Sequence, residues 1–311
     1  KKMTELFALI KRNCKLFFKD KGMFFTTLIT PYILLVLYTT FHAGIYRSSF
    51  ESSVAAAGVT VSPEIINATV AGQLVSSLLA VSTVTVAFCS NLLMVQDKVS
   101  GARKDLLVTP VKRSLIAVGY FVSSALVTLI ITLGALAGCL IYVAACGWFM
   151  SFTDVILTIL DVILLTLFGT AFSSVIYFSL TTNGQASAVG TIVSAGYGFV
   201  CGAYFPINQI DSAFLKNFFS FLPGTYGTSL IRNHSLNGAF NAMSKSGFPA
   251  EVVEGIKASL DCNLQFFGKD VSMLAAYLVL IGSVVLFTGI YVLLNVIHLK
   301  KTTKKTASFT A

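Results

Sequence analysis

Residues 66–113 read INATVAGQLVSSLLAVSTVTVAFCSNLLMV followed by QDKVSGARKDLLVTPVKR. The first part is thirty residues without a charge, and the second carries Lys98, Arg103, Lys104, Lys112 and Arg113. A helix of about 20 apolar residues spans a bilayer. In lipid every backbone amide must be bonded inside its own segment. The first part therefore reads as a spanning helix, with length to spare for tilt or for projection into water. The second part reads as a short connection to the next span.

Outward from this stretch, apolar runs recur at 22–46, 66–95, 114–146, 153–180, 186–204 and 271–298. The expected fold is an all-α integral membrane protein with six transmembrane helices over 22–298. Composition agrees: of 311 residues 55% are hydrophobic and 11% charged, with mean hydropathy +0.82. A soluble domain is about one quarter charged. These figures exclude a soluble enzyme, a disordered regulator and a nucleic-acid binder.

The net charge of +9 is a matter of topology, because Lys and Arg gather on the cytoplasmic side of spans. With the N-terminus inside, the segments 1–21, 96–113, 181–185 and 299–311 hold sixteen of the 22 Lys and Arg. Both termini are expected in the cytoplasm, the second as the basic tail 299–311. The charged, amphipathic start gives no expectation of a cleavable signal peptide at this end. Six scattered cysteines do not make a disulfide framework.

Residues 1–21 do not form a span. Met3, Leu6, Phe7, Ile10, Cys14, Phe17 and Phe18 recur at helical spacing, with Arg12, Lys15 and Lys19 on the other face. The reading is a helix lying in the cytoplasmic interface, its basic groups facing lipid headgroups. The competing reading is a helix docked on protein.

No phosphate-binding G-x-x-x-x-G-K-[ST] loop occurs. His42, His234 and His298 are far apart and read as interfacial polar residues, so no metal site is expected. No catalytic residue and no cofactor are assigned to this chain.

In 96–113, Val99, Ala102 and Leu106 are helix-spaced, Pro110 stops the helix, and Thr109 before it is held extended. A short helix parallel to the membrane would carry force from a cytoplasmic partner to two spans. A plain charged loop obeying the positive-inside rule is the other reading. On the outer side, GAYFPINQIDSAFLKNFFSFLPGTYGTSLIR (202–232) is bracketed by Pro206 and Pro223. Phe214, Phe218, Phe221 and Leu222 form an apolar stripe between them. The expectation is a re-entrant outer helical element between spans five and six, within an outer segment 205–270. The alternative is an amphipathic helix resting on the surface. Beyond it, Glu251, Glu254 and Lys257 alternate with Val252, Val253, Ile256 and Leu260, which suggests an extra amphipathic helix.

These two stretches resemble the type 2 ABC exporter permeases, the membrane subunits of drug, polysaccharide and lipid-conjugate exporters. The inner pattern is Asp97, Gly101, Leu106, Leu107, Pro110 and Arg113; the outer one is Gly202, Tyr204, Phe205, Pro206, Pro223, Tyr226 and Arg232. Val99, Ala102 and Lys104 depart from the usual inner pattern. The resemblance implies a plasma-membrane exporter, bacterial in source, moving an amphipathic or lipid-linked compound. It implies two partner ABC ATPase subunits that bind ATP and Mg, and a second permease copy, identical or different. It assigns coupling to the ATPase to Asp97, Gly101, Asp105, Leu106 and Pro110, and an outer gate to Phe205, Pro206, Pro223 and Tyr226.

Polar residues inside the spans come last. Ser76, Thr83, Asp161, Thr191 and Tyr197 are candidates for a pathway. Small polar residues also hold helices together. A carboxylate such as Asp161 inside a membrane is functional by default, or else it is paired or hydrated near the interface. Two other classes stay open: an ion-coupled secondary transporter, for which Asp161 is the one proton carrier, and a membrane-embedded hydrolase.

Overall fold

The computed structural model describes residues 2–56, 58 and 61–309. The side chains of His42 and of residues 298–309 fall outside the described ones, and with them the expected basic anchor at Lys300, Lys301, Lys304 and Lys305.

Among the described residues the fold is all-α apart from one small hairpin. Helix α1 (Lys2–Lys19) leads into α2 (Lys21–Leu37), whose N-cap Asp20 accepts from the Met23 amide at 3.0 Å. A π-helical turn, Tyr38–His42, passes the chain into α3 (Ala43–Ala56). Helix α4 (Pro63–Val99) starts with Ser62 as N-cap and Pro63 in its first turn, where a missing N–H costs nothing. Helix α5 (Ala102–Val108) follows, then α6 (Arg113–Cys146) and α7 (Phe152–Ser179). A capping box between Ser151 and Asp154 starts α7 and satisfies two of its free amides. Next come α8 (Asn183–Val200), α9 (Ala213–Ser220), α10 (Pro223–Lys245) and α11 (Ala250–Ser259). The strands β1 (Gln265–Phe266) and β2 (Lys269–Asp270) pair antiparallel before α12 (Met273–Phe309).

Helix α4 is the axis. It is buried along most of its length, and α2, α6, α7, α8 and α10 pack around it. Leu74, Leu78, Val81, Phe88 and Val95 form its contribution to the main core. Gly169 of α7 explains one close approach: a Cβ there would stand 3.1 Å from the Val84 Cα and from the Thr83 carbonyl oxygen of α4. Small residues allow helix backbones in a membrane to meet at such range. Helices α2 and α12 instead turn most of their side chains outward, as lipid-facing spans do.

The structure corrects two expectations. Among the described residues five helices are long and apolar enough to cross a membrane, not six: Lys21–Phe41, Pro63–Val99, Arg113–Cys146, Phe152–Ser179 and Met273–Ile297. The run at 186–204 is the missing one. It is helical as α8, but Asn183, Gln185, Ser187, Thr191, Ser194 and four glycines dilute its apolar content. It leads from the Tyr177 hydroxyl, which donates to Ala186 O at 3.3 Å, along α4 to the buried Arg232.

The outer segment holds no clear re-entrant helical element. Helix α9 is only eight residues long and leaves Phe214, Phe218 and Phe221 exposed. Helix α10 is not a short return arm. It runs for 23 residues and buries Thr225, Thr228, Ser229, Arg232, His234 and Ser235. A helix with that many buried polar groups is stable only against protein that bonds them, and α10 packs on α4, α7 and α12. Helix α11 covers its far end, where Val253 and Ile256 meet Leu236, Phe240 and Met243.

Candidate functional site

At one end of the bundle three elements meet on Asp97, in the last turn of α4. Arg12 of α1 donates Nη1 to Oδ2 at 2.6 Å and Nη2 to Oδ1 at 3.3 Å. The Tyr120 hydroxyl of α6 donates to Oδ2 at 2.5 Å. Burial pulls the Arg12 pKa down, yet the hydrogen bond and charge of Asp97 carry it above its ordinary value. Nearby, Asn13 donates to Ser123 Oγ at 3.2 Å and Phe17 is buried. Helix α1 is thus docked on α6 by one face, while Met3, Phe7 and Phe18 stay exposed.

The neighbouring Lys98 caps another helix. Its Nζ donates to the carbonyls of Tyr177 (2.9 Å), Phe178 (2.7 Å) and Leu180 (2.9 Å) at the end of α7. A basic group there satisfies carbonyls that have no partner within the helix. Asp97 and Lys98 therefore tie α1, α6 and α7 to the foot of α4.

Helix α5 hangs from this foot. Gly101 takes φ +88°, a left-handed conformation that turns the chain out of α4 and that residues with a Cβ adopt at a cost. Leu106 and Leu107 pack back on the core. Lys104, Asp105, Val108, Thr109 and Pro110 are exposed. Thr109 is extended, as its place before Pro110 requires. So Gly101, Asp105, Leu106 and Pro110 share one small projecting element, whereas Asp97 is buried beneath it.

At the opposite end, Gly202 (φ +71°) ends the α8 turn. Arg232 is 1% exposed and donates to Gly202 O at 2.8 Å and Leu260 O at 2.9 Å, with Asp261 Oδ2 at 3.6 Å. Asp261 accepts from the backbone amides of Ile207 and Asn208. Burial raises the Asp261 carboxyl, against the lowering influence of Arg232 and those two amides. Phe205 and Pro206 line a cleft of about 280 Å³ beside this latch, together with Tyr46, Gln73 and Leu260. Pro223 and Tyr226 do not line it. Pro223 begins α10, and the Tyr226 hydroxyl donates to Ser220 O at 2.7 Å across the α9–α10 junction. The four expected gate residues thus fall at two places.

The pathway candidates are scattered too. Ser76 and Thr83 are fully buried and bond carbonyls of their own helix, Gln73 O and Ala80 O. Thr191 is exposed on α8 and bonds Ser187 O. Tyr197 presses its hydroxyl against Gly224. Asp161 is fully buried, with His234 Nδ1 2.6 Å from Oδ2 and the Tyr277 hydroxyl donating to Oδ1 at 2.7 Å. His234 is therefore an interior residue, not an interfacial one. Sequence reading missed this role, and no local spacing marks a pair 73 residues apart.

Among the described residues, no three His, Cys, Asp or Glu side chains gather as metal ligands. Residues 60–297 match the family described as ABC-2 family transporter protein. No curated protein matches the chain.

Proposed function

We propose, from the premise that this chain belongs to the ABC-2 family of transporter proteins, that it is the translocation subunit of an ATP-driven exporter. It moves an amphipathic or lipid-linked compound outward. Hydrolysis belongs to two partner ATPase subunits that bind ATP and Mg, and the permease works as a pair with a second copy, identical or different. The end that carries α1, α5 and residues 96–113 faces the cytoplasm, because the basic residues concentrate there.

The observation that carries this reading is the projection of α5. Its outer face offers Lys104, Asp105 and Val108, the last 86% exposed, to a partner. Its inner face rests on the core through Leu106 and Leu107. A push on α5 is passed to α4 and α6, between which it lies in the chain, and through Arg12 to α1. The spans then shift, and the segment at Phe205 and Pro206 moves to release the compound. The permease contributes only a difference in stability between its states, which nucleotide binding on the partner biases.

The test is coexpression with a neighbouring ATPase. The two should copurify, and the complex in liposomes should couple ATP hydrolysis to outward movement of a lipid-like compound. Vectorial transport by the permease alone, driven by a cation gradient, would overturn the reading in favour of a secondary transporter.

A further inference from the structure

Helix α3 contributes Tyr46 and Phe50 to the lining of the outer cleft, together with Thr69 and Gln73 of α4 and the segment 204–206. It is joined to α2 through an unusual turn. At Tyr38–His42 the backbone is π-helical, and the Ala43 amide donates to Tyr38 O, five residues back. Such a turn is a place where a helix bends. Within it the hydroxyls of Thr39 and Thr40 fold back on Leu35 O (2.9 Å) and Val36 O (2.7 Å), a bonding pattern that slightly destabilises a helix. Beyond the turn α3 packs on α4, and Phe50 and Val54 enter a small apolar cluster with Ile65, Leu236 and Val253. Ile45, Arg47, Ser48, Glu51 and Ser52 are exposed.

Tyr46 fastens α3 over the cleft. Its hydroxyl donates to Tyr204 O at 3.3 Å and bonds the Gln73 and Ser77 side chains. The Tyr204 ring packs edge-on against Tyr38, with centroids 6.3 Å apart. The turn and the fastening thus both bear on Tyr204. We propose that α3 is a lid, hinged at Tyr38–His42 and latched by Tyr46, that closes the cleft beside Phe205 and Pro206 and swings away from it as one helix. The latch is a few hydrogen bonds, each contributing about 0.5–1.5 kcal/mol net, and the apolar hold rests on Phe50 and Val54. Opening is therefore a local event well short of unfolding. The lid moves in the permease alone, without an ATPase, so its failure leaves the export reading standing.

The experiment uses the full chain in nanodiscs carrying Thr69→Cys, at a position that lines the cleft and is 2% exposed. A charged methanethiosulfonate reaches this thiol when the lid opens. Labelling at position 69 is read by peptide mass, so the native cysteines stay in place. Tyr46→Phe keeps the ring and removes the latch hydroxyl. It should speed labelling about tenfold, the factor given by about 1.4 kcal/mol, at an unchanged melting temperature. Deleting Thr40 takes out the extra residue that makes the turn π-helical and should slow labelling, with or without Tyr46→Phe. A rate unchanged by Tyr46→Phe would overturn the lid. Should Tyr46→Phe lower the melting temperature, the Thr40 deletion decides, and labelling as fast as in the parent would overturn it.

Discussion

Arg12 and Asp97 are separated by 85 residues and joined at 2.6 Å. That bond is the polar clamp between α1 and α4. Asp97 is almost wholly buried while Arg12 keeps partial access to solvent. The two truncations are therefore unequal. Arg12→Ala strands a carboxylate that only Tyr120 still bonds, and should cost more than Asp97→Ala, which frees a guanidinium able to reach water. With the partial exposure of Arg12 taken into account, about 2 kcal/mol is expected for Arg12→Ala. A double-mutant cycle read by thermal unfolding in detergent checks it. Additive losses would show that the pair holds nothing together.

Gly101 is the hinge by which α5 leaves α4. A Cβ at this position meets no atom within 4 Å, so the cost of Gly101→Ala is conformational alone, about 1 kcal/mol from its positive φ. Global stability should hardly change, because α5 buries no residue completely. ATP hydrolysis by the partner should instead lose its dependence on transport. Asp105→Ala, on an exposed position, should do the same with no loss of stability. Full transport in both variants would remove α5 from the coupling route.

The spans over α4, α6 and α7 are legible because long apolar runs, thirty residues without a charge at 66–95 in α4, admit few other structures. Counting apolar letters fails at 186–204, where glycine and small polar residues turn a run of the right length into a helix too polar to qualify as a span. It fails again at 202–232, where Pro206 and Pro223 mark the breaks correctly but say nothing of how far α10 continues beyond Arg232. Local patterns find Gly101, Thr109 and Pro110, since turn chemistry is written in adjacent residues. The pairs Arg12–Asp97, Arg232–Asp261 and His234–Asp161 join segments far apart in the sequence, and only the packing reveals them.

Asp161 couples α7 to both α10 and α12. Asp161→Asn keeps a polar group of the same shape and should retain the bond from Tyr277 while changing the acceptor that His234 Nδ1 faces. Asp161→Leu removes both and leaves the buried His234 and the half-buried Tyr277 hydroxyl without this partner, a loss of about 1–3 kcal/mol, set mainly by His234. The ratio of the two effects on melting temperature is the measurement. A structural role predicts that Asp161→Asn transports normally. A pH profile of transport that flattens in Asp161→Asn while its stability is kept would make the carboxylate part of the working cycle.

Cys262 follows Asp261 in the turn under the Arg232 latch. It is buried, and burial pushes its thiol up to about 12. The thiolate is the reactive form, so in a variant retaining only this cysteine, maleimide should label it negligibly at neutral pH until the protein is unfolded.

Arg232 is enclosed by groups it must satisfy: two carbonyl oxygens and the Asp261 carboxylate. Arg232→Ala leaves Asp261 buried with backbone donors alone, and removing one partner of a buried pair costs about 3–5 kcal/mol. Arg232→Lys keeps the charge but not the planar fork that reaches Gly202 and Leu260 in different directions, so it should recover only part of that loss. Combining Arg232→Met with Asp261→Asn removes both charges at once and should be milder than Arg232→Ala, which separates an uncompensated charge from mere loss of packing. The readout is thermal unfolding, accompanied by trypsin cleavage after Lys257, in the cap that Arg232 ties to Gly202. A single alanine variant that melts and resists trypsin like the parent would mean that the latch at this end is held by the apolar contacts of α11 instead.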